Sequence, residues 1–334
     1  MRSYLIFALF AASFCGCHDG SAGSSDLGAV GDAASSFDLA TGDALSSFDL
    51  ATGDGPSSFD LATGDAASGS CSPAMVYGGG EMSLLASSVT AKVVDETGAA
   101  VANQPVYICG LNLCSSPATT ANDGTVTITT NLTETKPAFK VGDTIAYAEV
   151  AIPLTVGATD LTASGTKVLT LGRLSNKTGA TLTPGMDATS GDVTVSVPAG
   201  ATVGIDGLVY ATADSQKLRT VSIPLANDGP ILASSGHSDF SLFYGLSPAE
   251  TLICPAAKVT VQLPHDTSSP NNFGWAAGSA VEFWIMTVDT AQTYAPYAGW
   301  AKMSDGVVSS DGTSVSTTSG QGFIFLESFA IRKP

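Results

Sequence analysis

Three histidines, six cysteines and a cluster of aromatic residues are the side chains with chemical potential in this 334-residue chain. A Ser-His-Asp hydrolase would need His237 or His265 as its base, because His18 lies directly beside the N-terminal Cys17. His18 follows a hydrophobic N-terminal run. His237 lies in the polar stretch SGHSDFSLF, and His265 stands between Pro264 and Asp266 at an expected strand end. No G-x-S-x-G elbow accompanies them. The chain also lacks a phosphate-cradling G-x-x-x-x-G-K-[ST], a zinc-binding H-E-x-x-H and a dinucleotide-binding G-x-G-x-x-G that opens a helix. The Asp-Gly pairs at 123–124 and 311–312 have no ladder of further carboxylates, so they read as turns rather than calcium loops. The expectation is a protein that is not an enzyme and holds neither cofactor nor metal. The alternative is a hydrolytic or self-cleaving protein using His237 or His265.

The aromatic cluster is Trp275, Trp284, Tyr294, Tyr297 and Trp300, all within 26 residues. Trp284 sits in the apolar run AVEFWIMTV and reads as core. Trp275, Tyr294, Tyr297 and Trp300 lie in Gly/Ala-rich stretches that read as loops, where exposed rings stack on sugars or anchor protein partners. These four are the candidate binding aromatics, for a glycan or protein ligand.

Positioning elements begin at the N-terminus. MRSYLIFALFAASFCGC has one Arg, an apolar run from Tyr4 to Phe14 that is too short to span a bilayer, and small residues beside two cysteines. It resembles the signal peptide of bacterial lipoproteins, which is cleaved just before a Cys that becomes lipid-modified. Cys17, preceded by Gly16, is favoured over Cys15, which follows the bulky Phe14. The resemblance implies a leader over 1–16 and a lipid anchor on Cys17. Multiple acyl chains on one residue attach firmly to a membrane.

Export makes the other cysteines, Cys71, Cys109, Cys114 and Cys254, candidates for two disulfides. Cys109 and Cys114 flank the four-residue segment 110–113. If that segment closes a hairpin, the two face each other within disulfide reach, which leaves Cys71 with Cys254. Zinc is disfavoured because no C-x2-C pair exists.

Residues 18–70 contain nine Asp and no Lys or Arg, and the phrase FDLATGD recurs at 37–43, 48–54 and 59–65. An eleven-residue period suits a right-handed supercoil, but Gly in every repeat, and Asp, Ser and Thr throughout, disfavour helix. The expectation for 17–70 is a disordered, acidic, solvated linker. The net charge of −17 and the absence of a Lys/Arg cluster exclude an electrostatic footprint for nucleic acid.

From Ser88 the period is two, with turn signals at DETG and NDG. VTAKVVDETGAAVANQPVYI and TTANDGTVTI resemble the prealbumin-like, immunoglobulin-type module of bacterial surface proteins over about 85–173. VSVPAGA, the segment 244–264 and the closing Phe-rich strand are similar to the all-β domain shared by zonula-occludens proteins, netrin receptors and ankyrins, over about 181–334. Some relatives of that domain cut themselves at a His-Phe-Ser step. Here His237 is followed directly by Ser238, and Phe240-Ser241 comes later, so the spacing departs from that pattern. The expected fold class is all-β: two β-sandwich domains, 71–173 and 174–334, after the linker. The expected protein is lipid-anchored at a bacterial outer membrane or cell surface, with a binding or structural role.

Overall fold

The computed structural model describes residues 83–111, 113–141, 146–154, 167–174, 179–207, 209–225, 239–264, 275–287, 295 and 298–334. The expected leader, lipidation site and repeats lie outside them, as do Cys71, His237, His265, Tyr294 and Tyr297. Among the described residues every regular element is a strand of three residues or more, apart from one two-residue strand, and no α-helix occurs. The all-β expectation therefore holds.

The first sandwich is built from β1 (Ser83–Asp95), β2 (Pro105–Cys109), β3 (Ala118–Thr119), β4 (Thr125–Thr135), β5 (Ala138–Val141), β6 (Val150–Pro153) and β7 (Lys167–Leu171). One sheet has the order β4-β1-β7, with β1 antiparallel to β4 and parallel to β7. The other has the order β3-β2-β5-β6. In β1 the alternation does what the sequence asked. Val89, Ala91 and Val93 are buried, while Ser88, Thr90 and Lys92 lie on the outer face. Val106 and Ile108 of β2 and Phe139 and Val141 of β5 meet them in one core.

Both turn signals are real. Asp95 Oδ1 accepts the amides of Thr97 and Ala99 at 2.9 and 3.0 Å, which closes the DETG turn. Asp123 Oδ1 accepts the Thr125 amide at 3.0 Å. Gly124 then takes φ 78°, and a Cβ there would lie 2.3 Å from the Val93 carbonyl oxygen, so only glycine fits.

Cys109 and Cys114 are disulfide-bonded across the expected hairpin, with Cα atoms 4.0 Å apart. The Gly110 amide donates to the Leu113 carbonyl at 2.9 Å inside the loop. Cys254 is also disulfide-bonded.

The second sandwich comprises β8 (Asp187–Ser190), β9 (Val193–Ser196), β10 (Thr202–Gly204), β11 (Arg219–Ser222), β12 (Phe240–Ser247), β13 (Thr251–Gln262), β14 (Ala280–Met286), β15 (Trp300–Val308), β16 (Ser314–Thr317), β17 (Phe323–Leu326) and β18 (Phe329–Arg332). Nine of these run in the order β11-β12-β18-β14-β15-β16-β13-β9-β8, and β10 and β17 both pair with β13. Strand β13 changes partners along its length. It pairs with β10 and β17 over its first half, and with β9 and β16 over its second. The two ends of the path meet. The Thr220 amide of β11 donates to Ser190 Oγ of β8 at 3.0 Å, and the Thr220 hydroxyl donates to the Ser190 carbonyl. The tie links the two end strands at one point through side-chain bonds, without a backbone ladder between them. Phe283, Phe323 and Phe329 fill the interior, with ring centroids 5.5–6.4 Å apart.

Strand β12 is apolar on both faces, and β14 and β18 are so at their Met286 and Phe329 ends. Leu242, Tyr244, Phe283, Ile285, Phe329 and Ile331 point into the second core. Phe240, Phe243, Met286, Trp300 and Ala330 belong instead to the core of the first sandwich. One sheet is therefore covered by its own sandwich on one face and by its neighbour on the other. This explains why FSLFYGLS reads as a near-continuous apolar run rather than an alternation. All eighteen strands belong to a single compact unit.

Candidate functional site: the charged face of the second sandwich

Two of the four candidate aromatics fall among the described residues, and the structure corrects their placement. Trp300 is not in a loop: it opens β15 and is 8% exposed. Its ring sits 5.1 Å from Phe240 and 5.8 Å from Phe243. Trp275 is 9% exposed and joins the second core. The Gly/Ala-rich context was misleading because small residues there let large rings pack inward instead of marking an exposed loop. Neither indole presents a face to solvent on which a sugar could stack. Tyr294 and Tyr297 lie outside the described residues, as do His237 and His265, so the two histidine-based readings find no geometry here.

Of the three tryptophans, Trp284 is the one that reaches the surface; it reads as core in the sequence and is half-buried in the structure. Strand alternation places Glu282, Trp284 and Met286 on the face of β14 opposite Val281, Phe283 and Ile285. Antiparallel pairing sets Arg332 of β18 beside Glu282. On the other side the register between β14 and β15 shifts between Phe283 and Trp284, so that Phe283 faces Ser304 and Trp284 faces Lys302. The bulge brings Lys302 and Asp305 to the same face, although residues three apart on a regular strand would point in opposite directions.

The resulting network is dense. Arg332 Nε donates to Glu282 Oε2 at 2.7 Å, and its Nη1 donates to Asp239 Oδ2 at 2.8 Å. Lys302 Nζ reaches Glu282 Oε1 at 3.3 Å and Asp305 Oδ1 at 2.9 Å. The Trp284 indole N–H donates to Glu282 Oε2 at 3.1 Å, and the Arg332 guanidinium lies 5.1 Å from a Trp284 ring centroid. Phe240 meets that indole edge-on at 6.2 Å.

The titration of the network follows from these contacts. Burial alone would raise Glu282. The bond from Trp284 and the charges of Arg332 and Lys302 outweigh it, so the carboxyl titrates below its ordinary range. Burial alone would lower Lys302, and its bonds to Asp305 and Glu282 raise it instead. Both shifts hold the groups in their charged forms. A general acid or base at neutral pH needs the opposite tuning, a raised carboxyl or a lowered amine. This face presents fixed charge beside an indole. The signal that would have found it is Glu282 two residues from Trp284 on one strand face, read together with the pairing that sets Arg332 beside Glu282.

A second polar constellation lies elsewhere. Asp95, buried under its own turn, is bonded to Arg173, whose guanidinium lies 5.8 Å from the Tyr147 ring centroid. The Arg173 amide also donates to Glu96 Oε2 at 3.0 Å. These contacts tie the DETG turn to the segment that follows β7, a structural task. Among the described residues no group of three or more His, Cys, Asp or Glu is arranged to hold a metal ion.

No family model matches the chain, and no curated protein matches it in sequence.

Proposed function

We propose that the chain is a lipid-anchored protein of the bacterial cell envelope, held at an outer membrane or cell surface through Cys17. Its β-sandwich body has a binding or structural role and performs no catalysis. The observation that carries the reading is the N-terminal order: one Arg, an eleven-residue apolar run, Gly16-Cys17, then fifty-odd residues in which Asp is the only charged type. Such a start addresses a chain for export and acylation. The acidic repeats that follow serve as a solvated tether between anchor and body. The resemblances to the prealbumin-like module and to the C-terminal all-β domain point the same way, toward modules used as spacers and binding platforms. The half-buried Trp284 with Arg332 and Glu282 is the surface feature best suited to a glycan or protein partner.

The test is metabolic labelling with palmitate. The wild-type chain is expected to take up label and partition with membranes, and the Cys17→Ser variant to lose both. Retention of label and membrane association by Cys17→Ser would overturn the anchor assignment. A soluble wild-type chain without acyl mass would overturn the lipoprotein reading altogether. A single full-length species by intact mass of the purified body would exclude self-cleavage.

A further inference from the structure

We infer that Lys140 is a latch between the two sandwiches, fixing them at one angle so that they move as a single rigid head. The inference is independent of the proposed anchor. Lys140 lies on β5 in the first sandwich. Its ammonium sits 2.6 Å from Glu149 Oε1, at the start of β6, and 2.8 Å from Glu250 Oε1, in the turn between β12 and β13 of the second sandwich. All three side chains are sheltered: 13% exposed for Lys140, 6% for Glu149 and 24% for Glu250. The pair is thus far better shielded from water than a surface salt bridge, which is weak because solvent screens it.

Glu250 is held in place from the far side as well. Its amide donates to Glu327 Oε1 at 3.0 Å, between β17 and β18. Its φ is 57°, a left-handed conformation that suits glycine far better than a residue with a side chain. A carboxylate stands at a position where backbone geometry alone would favour glycine, and that carboxylate is the one that reaches across to Lys140.

The surroundings fit a fixed joint rather than a hinge. Ser328 Oγ donates to the Glu149 carbonyl at 2.7 Å, and the Ala151 amide of β6 points at Met286 Sδ at 3.4 Å. At Gly245 of β12 a Cβ would come within 2.4 Å of Ala148 Cβ, so the Ala148 methyl of the first sandwich packs directly on the β12 backbone. Gly172, just after β7, is equally close to the second sandwich, with Val221 Cγ1 2.6 Å from where its Cβ would be. Contacts this close hold the two sandwiches against each other. Lys140 adds direction to that packing, because an ion pair with two partners on different sandwiches is satisfied at one relative orientation only.

The test uses the full chain carrying spin labels, through unnatural amino acids, at Asn122 in the first sandwich and Asp311 in the second, both exposed. Pulsed distance measurements on the otherwise unaltered chain are expected to give one narrow distribution. Lys140→Met is expected to lose it, giving a broad or split distribution. Glu250→Gln, at the more exposed partner, is expected to broaden it less, and guards against a Lys140→Met variant that does not fold. The double variant is expected to match Lys140→Met alone, because the shared interaction is already gone. A broad distribution in the unaltered chain, an unchanged narrow one in a folded Lys140→Met, or additive effects in the double variant would overturn the inference.

Discussion

Strand β1 and strand β12 solve the same problem in different ways. β1 has a core on one side and water on the other, and its sequence shows it: Val89, Ala91 and Val93 alternate with Ser88, Thr90 and Lys92. The outer hydroxyls even pair across strands, with Thr90 and Thr127 Oγ1 atoms 3.0 Å apart. β12 has a core on both sides, and seven of its eight residues are buried. The difference shows where the molecule is joined. A strand that alternates is a wall of one sandwich, and a strand apolar throughout is a wall shared by two. The same contrast separates the far end of β14, with Ile285 on one face and Met286 on the other, from the outer strand β4.

The largest effect that would sharpen this contrast is expected at Trp300. Its ring fills the first core from a strand of the second sandwich. Trp300→Ala should lose about 3–5 kcal/mol of unfolding free energy, the usual result of emptying a large buried site. If the shared wall is real, urea titration will show the loss in the transition of both sandwiches, not in the second alone. Gly245→Val comes next. The added carbons would press on Ala148, and overpacking of this kind costs about 1–3 kcal/mol. Its signature is a lower denaturation midpoint. An unchanged midpoint would mean that the joint has slack.

A pH effect of smaller size follows from Glu282 and Asp95. Burial works against the charged form of Asp95, but bonds from Thr97, Ala99 and Arg173 outweigh it and lower its pKa. Glu282 is lowered by the contacts described above. A carboxylate lowered on folding contributes stability that is fully present above its unfolded pKa, about 3.9 for Asp and 4.3 for Glu. That contribution disappears as pH falls through the lower folded value. Urea midpoints should therefore fall steeply below about pH 4, in keeping with those reference values. The Glu282→Gln variant should show a shallower fall than the wild-type chain. An equally steep fall in that variant would remove Glu282 from the account. The smallest effect is expected at Thr90→Ala on the solvated face of β1, within about 0.5 kcal/mol of wild type, as for most surface changes.

Much of the fold was legible because its signals are local. The DETG and NDG turns close through Asp95 and Asp123, each acting on amides two to four residues away. The Cys109–Cys114 pair spans one short loop. The candidate site was less legible because its determinants are distant or ambiguous. Trp300 follows Ala298-Gly299 and reads as a loop residue, yet it begins a strand that packs against Phe240, sixty residues earlier in the chain. Lys140 in AFKVGD has the look of an ordinary solvated lysine. Its partner Glu250 is 110 residues away, and nothing near either residue indicates the other. Alternation tells which face of a strand is apolar. When both faces are apolar it says nothing about what covers the second.

The central claim is that the two sandwiches share one wall and hold together as one unit. Hydrogen exchange measured through a urea titration tests it most directly, comparing peptides from β1 with peptides from β14. The shared wall predicts that both lose protection at the same urea concentration, with the same dependence on urea. Loss of protection in β1 at a clearly lower urea concentration, with β14 still protected, would show two separate units and contradict it.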